Sequence, residues 1–546
     1  SARRVTPVFD IDDTATARHV AEIIRLVGGL PLGIELAAAW LEALPVDEIV
    51  QEISDSLDFL ETDLRDVPER HRSIRAVFEY SWNLLTEAER ESFQKLSVFR
   101  GGFVREAAKK VTGASLRTLT NLVNKSLLQR EPSGRYYVHK LLRQYAEERH
   151  DEVAHAATLQ AHAEYYADFL ERLIPALNTH REQAAFEAIE AEVGNVRLMR
   201  EQALEHQRWD LLDRSLDAFL FYYVARSLLR EGYSTFKLIG DALEADGEGS
   251  TMIYWRIRAR QAWVGERMGQ FDEVIRLANG AEKFFQQQGA GIERSYAISH
   301  RSYVHMMQGN FDSAIECSQL ALEALNGAEE LNPYFLAMGN MGYAYYLKGN
   351  YAEAKRIYDE LLANFKDVDY SPIGKAFGTN NLGEILRDTG ETSRAQEHFK
   401  DAFEIFERFN HRRGMAFSLN NLAGMIFVQG HYDQAREKFE RVHQLYRDIG
   451  DRPGEAHALS ALGNADAAIG DYQQAQAHYE ASLAIRRENR DRRGVADSLT
   501  DLARNAANRG NLETADEMLC EARDIYAEIG DPIGEGMSGA SLALVR

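Results

Sequence analysis

The hydrophobic pattern of the second half of the chain repeats with a period too long for one helix or strand. From about residue 255 an amphipathic segment ends in glycine, a bulky residue soon follows, and a second amphipathic segment opens with a small side chain. The turns read "MGQFDEV", "QGNFDSA", "KGNYAEA", "TGETSRA", "QGHYDQA", "IGDYQQA" and "RGNLETA". Their glycines, Gly269, Gly309, Gly349, Gly390, Gly430, Gly470 and Gly510, are 40 or 41 residues apart, which marks an internal repeat. Glycine at that place implies a left-handed residue just past a helix end. Five positions on, Ala314, Ala354, Ala395, Ala435, Ala475 and Ala515 let two helices approach closely, with Val274 the exception. A second column, Gly374, Gly414, Gly454, Gly494 and Gly534, is assigned to the return loop before each next unit.

Helix pairs of this kind bury their apolar stripes only against their neighbours, which gives a solenoid whose concave face is lined by the first helix of each unit. The pairs Leu382-Gly383, Leu422-Ala423, Leu462-Gly463 and Leu502-Ala503 before the turns resemble the tetratricopeptide repeat. The unit here is longer than the ~34 residues of the short form. The resemblance implies a right-handed α-solenoid of about seven units over residues 246–546, preceded by a helical linker or degenerate repeats over 151–245. Along the concave helices a polar column contains Asn340, Asn381 and Asn421, and an aromatic column beside it contains Tyr303 and Tyr343. Tyr346, Arg387 and Phe427 stand three residues further on. Amides hold main chain and rings contribute apolar area, so these eight side chains are the candidate groove for a protein or peptide ligand.

The front of the chain has no such period. Residues 18–43 predict a helix, a glycine break and a second helix with Pro31 suited to its first turn. Further on, Thr86 and Glu89 stand in capping-box register. "VREAAKKVTG" and "SLRTLTNLVNKSLLQRE" predict two more helices, and "PSGRYYVH" a two-stranded wing before a last helix. Three helices and a wing describe a winged helix-turn-helix.

"GGLPLGIELAA" resembles the "GLPL" motif of the NB-ARC, or STAND, signal-transduction ATPases, and "SIRAVFEYSWNLLTEAERESFQKLSVFRGGF" is similar to the segment that follows it in their bacterial members. "YVHKLLRQYAEE" resembles the "MHD" segment that closes their winged-helix domain. The resemblance implies an all-α architecture in four parts: a helical domain over 1–62, a winged-helix domain over 63–150, the linker and the repeat array. It also implies that His139 reaches the β-phosphate of bound ADP and locks an inactive state, and that Pro31 packs near the adenine. Lys140 stands where the family carries aspartate, so the tethering role of that aspartate does not carry over. No G-x-x-x-x-G-K-[ST] occurs. A nucleotide-binding core that takes ADP or ATP with Mg²⁺ is therefore expected upstream, with no cofactor held by this chain alone and no catalysis by it. Oligomerisation on activation is a further implication.

Charge narrows the remaining choices. The chain carries −22 overall, which opposes nucleic acid and anionic membranes. Residues 101–150 are the exception, with ten Lys and Arg against four Asp and Glu, 10 − 4 = +6. A winged-helix DNA-binding regulator carrying a repeat interaction domain is therefore the alternative, with Lys109, Lys110, Arg117 and Lys125 as its basic groups. The two cysteines, Cys317 and Cys520, form neither a disulfide framework nor a zinc site. No apolar run approaches the ~18 residues of a membrane span, and the chain reads as cytoplasmic.

Overall fold

The computed structural model describes residues 14–27, 34, 37–38, 40–42, 44–55, 74–149, 151–327, 331–364 and 369–546. The chain divides into two compact units. One is formed by residues up to Arg172 together with Glu187–Ser215, and the other by Leu173–Phe186 together with Leu216–Arg546. Pro31 and the 62/63 boundary lie outside the described residues.

In the first unit, helices Glu87–Leu96, Arg105–Thr112 and Leu116–Asn124 pack around Phe93, Leu96, Leu119 and Leu122, all fully buried. The predicted capping box is present: Thr86 Oγ1 accepts from Glu89 N at 3.3 Å, and Glu89 Oε2 accepts from Thr86 N at 3.0 Å. Glu89 also ties two helices together, accepting from Lys125 Nζ at 2.7 Å and from Asn121 at 3.1 Å. The Lys125 ammonium and the Thr86 amide hold its carboxyl down at about 2. The wing has three strands where the sequence predicts two: β1 (Gly102–Phe103), β2 (Gln129–Arg130) and β3 (Tyr136–Tyr137), antiparallel in the order β1-β3-β2. The extra strand follows from Phe103, which stacks on Phe99 at 4.3 Å and so draws its backbone against β3. A buried network fastens this sheet to the helices behind it. Arg135 pairs with Glu192 at 2.5 Å, Tyr166 donates to Glu192 at 3.0 Å, and Asn195 accepts from Arg100 N at 2.7 Å while donating to Gly102 O.

The second unit is a tetratricopeptide-like stack of antiparallel helix pairs. It takes in residues 216–245, ahead of the expected start at 246. The seven turn glycines all adopt φ between 74° and 91°, the left-handed conformation their spacing predicts. The alanine column is fully buried, and Val274 occupies its place in the first pair at 1% exposure.

The second glycine column departs from expectation. These residues are not in the return loops but in the first turn of the next helix. Gly414, for example, lies in helix Arg412–Val428, and its amide donates to His411 Nδ1 at 3.0 Å. Its side chain is forbidden by packing rather than by φ: a Cβ would stand 2.2 Å from the ring of Phe406 on the preceding helix. The same clash recurs for Gly374 with Tyr370, Gly454 with Tyr446 and Gly534 with Tyr526. The left-handed residues of the return loops stand four earlier, at Asn410, Gly450, Arg490 and Gly530.

Ala435, fully buried among Ala423, Phe439 and Leu462, sets how closely two helices approach. Ala435→Leu overpacks that crossing and is expected to cost about 1–3 kcal/mol, whereas exposed Glu437→Gln should leave thermal unfolding unchanged. Equal shifts in the two midpoints would contradict the assigned repeat phase.

Candidate functional site

The first helices of successive pairs bring their polar and aromatic columns to one cavity of about 590 Å³ inside the repeat unit. Seven of the eight predicted groove residues line it: Tyr303, Asn340, Tyr343, Tyr346, Asn381, Arg387 and Asn421. Phe427 does not. It packs instead against Tyr432, ring centres 5.2 Å apart, at the edge of the Ala423–Phe439 cluster. Two helical turns beyond the middle of its helix, it has already passed the cavity wall.

The amides do less than the sequence suggests, because their N–H groups are spent within the protein. Asn340 donates to Ser299 O at 2.9 Å, Asn381 to Tyr358 Oη at 2.8 Å, and Asn421 to Glu384 Oε1 at 2.9 Å. Asn340 and Asn421 tie neighbouring concave helices together and Asn381 ties its helix to Tyr351–Asn364, so their removal would leave buried acceptors unmatched. Arg387 is equally committed, donating to Asp388, Asn421 and Tyr346 Oη. Each of the three asparagines thus spends its amide nitrogen on the cavity wall, while Asn381 Oδ1 has no partner among the described residues.

What faces the cavity is aromatic surface with a few charged groups. Trp263, Phe377 and Phe417 join Tyr303, Tyr343 and Tyr346 on its lining. Arg413 lies half-buried, its Nε donating to Asp451 Oδ2 at 2.6 Å, while Asp451 Oδ1 accepts from Gly454 N at 2.9 Å. The Arg267 guanidinium sits over the Tyr303 ring, 5.2 Å from its centre. Burial, then the Arg413 and Arg267 charges, push the His411 imidazole down to about 3. Burial and Arg486 push that of His457 down to about 4. Both are neutral at physiological pH. Burial raises the Glu384 carboxyl above the usual carboxylate range.

Segment Leu173–Phe186 supplies Asn178, Glu182 and Phe186 to the same lining, a contribution invisible in a search by period. His180 contacts Asp369 Oδ1 through its backbone N at 3.1 Å and Nδ1 at 2.8 Å. Glu182 accepts from Ser371 Oγ at 2.7 Å and from Ile373 N at 3.4 Å, at the first turn of helix Pro372–Asp388. A helix N-terminus attracts a carboxylate, yet burial dominates and raises the Glu182 carboxyl to about 7.

The array also closes on itself. Asp272 of the first pair is ion-paired with Arg490, and the Arg493 guanidinium lies over the Phe311 ring at 5.4 Å. A Cβ on Gly269 would meet Asn489 at 2.8 Å. Early and late repeats thus touch across the concave face, which forms a partly open cavity.

His139 stands in the other unit as the N-cap of helix Lys140–Glu147, its Nδ1 accepting from Leu141 N at 3.2 Å. Burial lowers its pKa, the Val27 backbone favours the charged form, and Arg143 opposes it. Val27 is the last described residue before the "GLPL" segment, and the contact of His139 with that segment lies outside the described residues. Among the described residues no group of three or more His, Cys, Asp or Glu is placed to hold a metal ion. No described helix is long and apolar enough to cross a membrane.

The tetratricopeptide repeat family model matches residues 334–408, 414–488 and 467–528. A protein of Mycobacterium tuberculosis (strain H37Rv) with the provisional name HTH-type transcriptional regulator Rv0890c is 32% identical over 249 residues, 44% of this chain and 28% of its own length. A second protein of that strain, Rv0894, is 33% identical over 172 residues, 29% of this chain and 43% of its own length. The chain thus spans well under half of the curated relatives it matches. Among solved structures, the STAND protein PH0952 from Pyrococcus horikoshii, which has a tetratricopeptide repeat sensor, is 15% identical with a TM-score of 0.43, covering 94% of this chain and 74% of that one. A Rap protein complexed with Competence and Sporulation Factor is 15% identical with a TM-score of 0.42, covering 63% and 97%.

Glu182 makes the cavity wall sensitive to pH. Its folded pKa of about 7 lies above the ordinary 4.5, so its stabilising contribution is complete below pH 4.5 and is lost as pH rises through 7. The thermal midpoint of the wild type relative to Glu182→Gln should fall over that interval by the equivalent of roughly 2–3 kcal/mol, with faster exchange of the Ile373 amide. A flat difference would show that this carboxyl does not dock the segment.

Proposed function

We propose that this chain is the regulatory and sensor portion of a STAND-type signalling ATPase, whose repeat array takes an inducer and whose helix-and-wing unit couples that event to nucleotide state and oligomerisation. The observation that carries the reading is the convergence of seven sequence-predicted concave residues on one aromatic-walled cavity. Its volume falls within the ~300–1,000 Å³ range of sites that bury a small ligand. The inducer is then a compact molecule or a short peptide, not a long segment laid along many repeats.

The motif-bearing unit supplies the readout. An imidazole that accepts at Nδ1, as His139 does from Leu141, carries its proton on Nε2 when neutral. That N–H is the donor a phosphate oxygen would take. One such donor fits the lid of a nucleotide site, and the phosphate cradle and Mg²⁺ ligands belong to a nucleotide-binding core outside this chain. In a protein that joins the two, His139→Ala should speed ADP release and raise basal activity. Unchanged ADP retention there would remove His139 from the latch.

The alternative, a DNA-binding regulator, is favoured by one surface. Lys109, Lys110 and Arg117 are exposed and have no ion-pair partner among the described residues, whereas Lys125 is spent on Glu89 and Leu84 O. The provisional name of the mycobacterial relative points the same way. On the sensor reading, fluorescence anisotropy of a duplex should show only weak binding that is indifferent to Arg117→Ala. Tight binding that weakens steeply with salt and is lost with Arg117→Ala would favour the alternative.

A further inference from the structure

We infer that the cavity in the repeat unit is a site for a small organic anion, its carboxylate or phosphate seated on Arg267 and Arg413 and its apolar, planar body held among Trp263, Tyr343, Phe377 and Phe417. The inference rests on the proposed sensor reading and narrows its ligand.

The carrying observation is which polar groups remain unspent. The acids of the lining are fully used. Asp451 accepts from Arg413 Nε and Gly454 N, Glu182 accepts from Ser371 and Ile373, and Glu384 accepts from Asn421. The guanidiniums are not. Arg413 spends only its Nε, and neither of its Nη groups has an acceptor among the described residues. Arg267 has only a 3.4 Å ion pair between its Nε and Glu266, a carboxylate already engaged by His300 at 3.0 Å. Both arginines are cavity-lining, and both act on the same two neighbours, Tyr303 and His411. Two guanidinium forks with unused terminal N–H groups beside one aromatic face make a bidentate anion seat. A cation is disfavoured at the same place, because His411 and His457 are both held neutral there by burial and by these and neighbouring arginines.

The body of the ligand is fixed by the rest of the wall. Phe377 lies edge-on to His411 at 5.4 Å and 6.3 Å from Phe417, and Trp263 lines the cavity near Phe221 at 5.9 Å. Such faces reward a flat apolar group, and Trp263 Nε1, Asn381 Oδ1 and Asn420 Oδ1, also without partners among the described residues, are left for polar atoms on its edge.

Two dyes separate head group from body: 1-anilinonaphthalene-8-sulfonate, which carries an anion, and N-phenyl-1-naphthylamine, which is neutral. The wild-type chain should bind the sulfonate at one site. Arg267→Gln, and separately Arg413→Gln combined with Asp451→Asn so that no buried acid is left alone, should each weaken it about tenfold or more. Binding of the neutral dye should change less than twofold. Indole-3-acetate and phenyl phosphate should displace the sulfonate, and indole-3-acetamide should not; their order tells carboxylate from phosphate. If the neutral dye binds as tightly and the arginine variants are indifferent, the anion seat is refuted while the cavity stands as a ligand site. If neither dye enters the folded wild type, the cavity reading itself is refuted.

Discussion

The packing of the later repeats depends on one steric constraint, the absence of a side chain on the first turn of their concave helices. Phe406, Tyr446 and Tyr526 each lay a ring where a Cβ at Gly414, Gly454 or Gly534 would stand, at 2.2–2.4 Å. That contact lets the second helix of one pair press onto the start of the next, and at Gly494 the place of the ring is taken by Arg486 and Asp491. The first two pairs meet the later ones across the concave face at Asp272–Arg490 and Phe311–Arg493.

Burial then decides the electrostatics. Charged groups inside a low-dielectric wall must be paired, neutralised or waiting for a partner. Here the three outcomes are distributed by type: the acids are hydrogen-bonded or shifted toward neutrality, the imidazoles are neutral, and two guanidiniums, which cannot give up their protons, keep unspent donors. The unspent donors lie on the concave face, where the repeats bring Arg267 and Arg413 to one lining.

Much of this was legible in the sequence, and the rest was hidden for identifiable reasons. Period and small-residue columns gave the turn glycines and buried alanines, because backbone conformation and close packing each demand one residue type. The same columns brought seven groove residues to one cavity. The use of the asparagine nitrogens was not legible because an amide suits helix-to-helix bonding and ligand binding equally; only the partner, such as Tyr358 Oη for Asn381, tells them apart. The second glycine column was misplaced for a similar reason, since glycine answers both positive φ and missing space. Arg413 and Asp451 stand at the starts of concave helices, away from the columns the period picks out, and Glu182 arrives from outside the period altogether.

That last residue bears on how an occupied cavity could be felt elsewhere in the protein. Helix Glu182–Ala191 begins among the cavity-lining residues of the repeat unit, and from Glu187 onward it is counted with the wing-bearing unit. Its first residue is held by hydrogen bonds to Ser371 and Ile373 that are weakened by the cost of burying a carboxylate. A docked element with a small net stabilisation is easily biased, since a ligand shifts an equilibrium only by its differential affinity for the two states. An occupant that touches Phe186 or alters the field at Glu182 would act on this segment directly, by tightening or loosening its hold on the first turn of helix Pro372–Asp388 within the repeat unit.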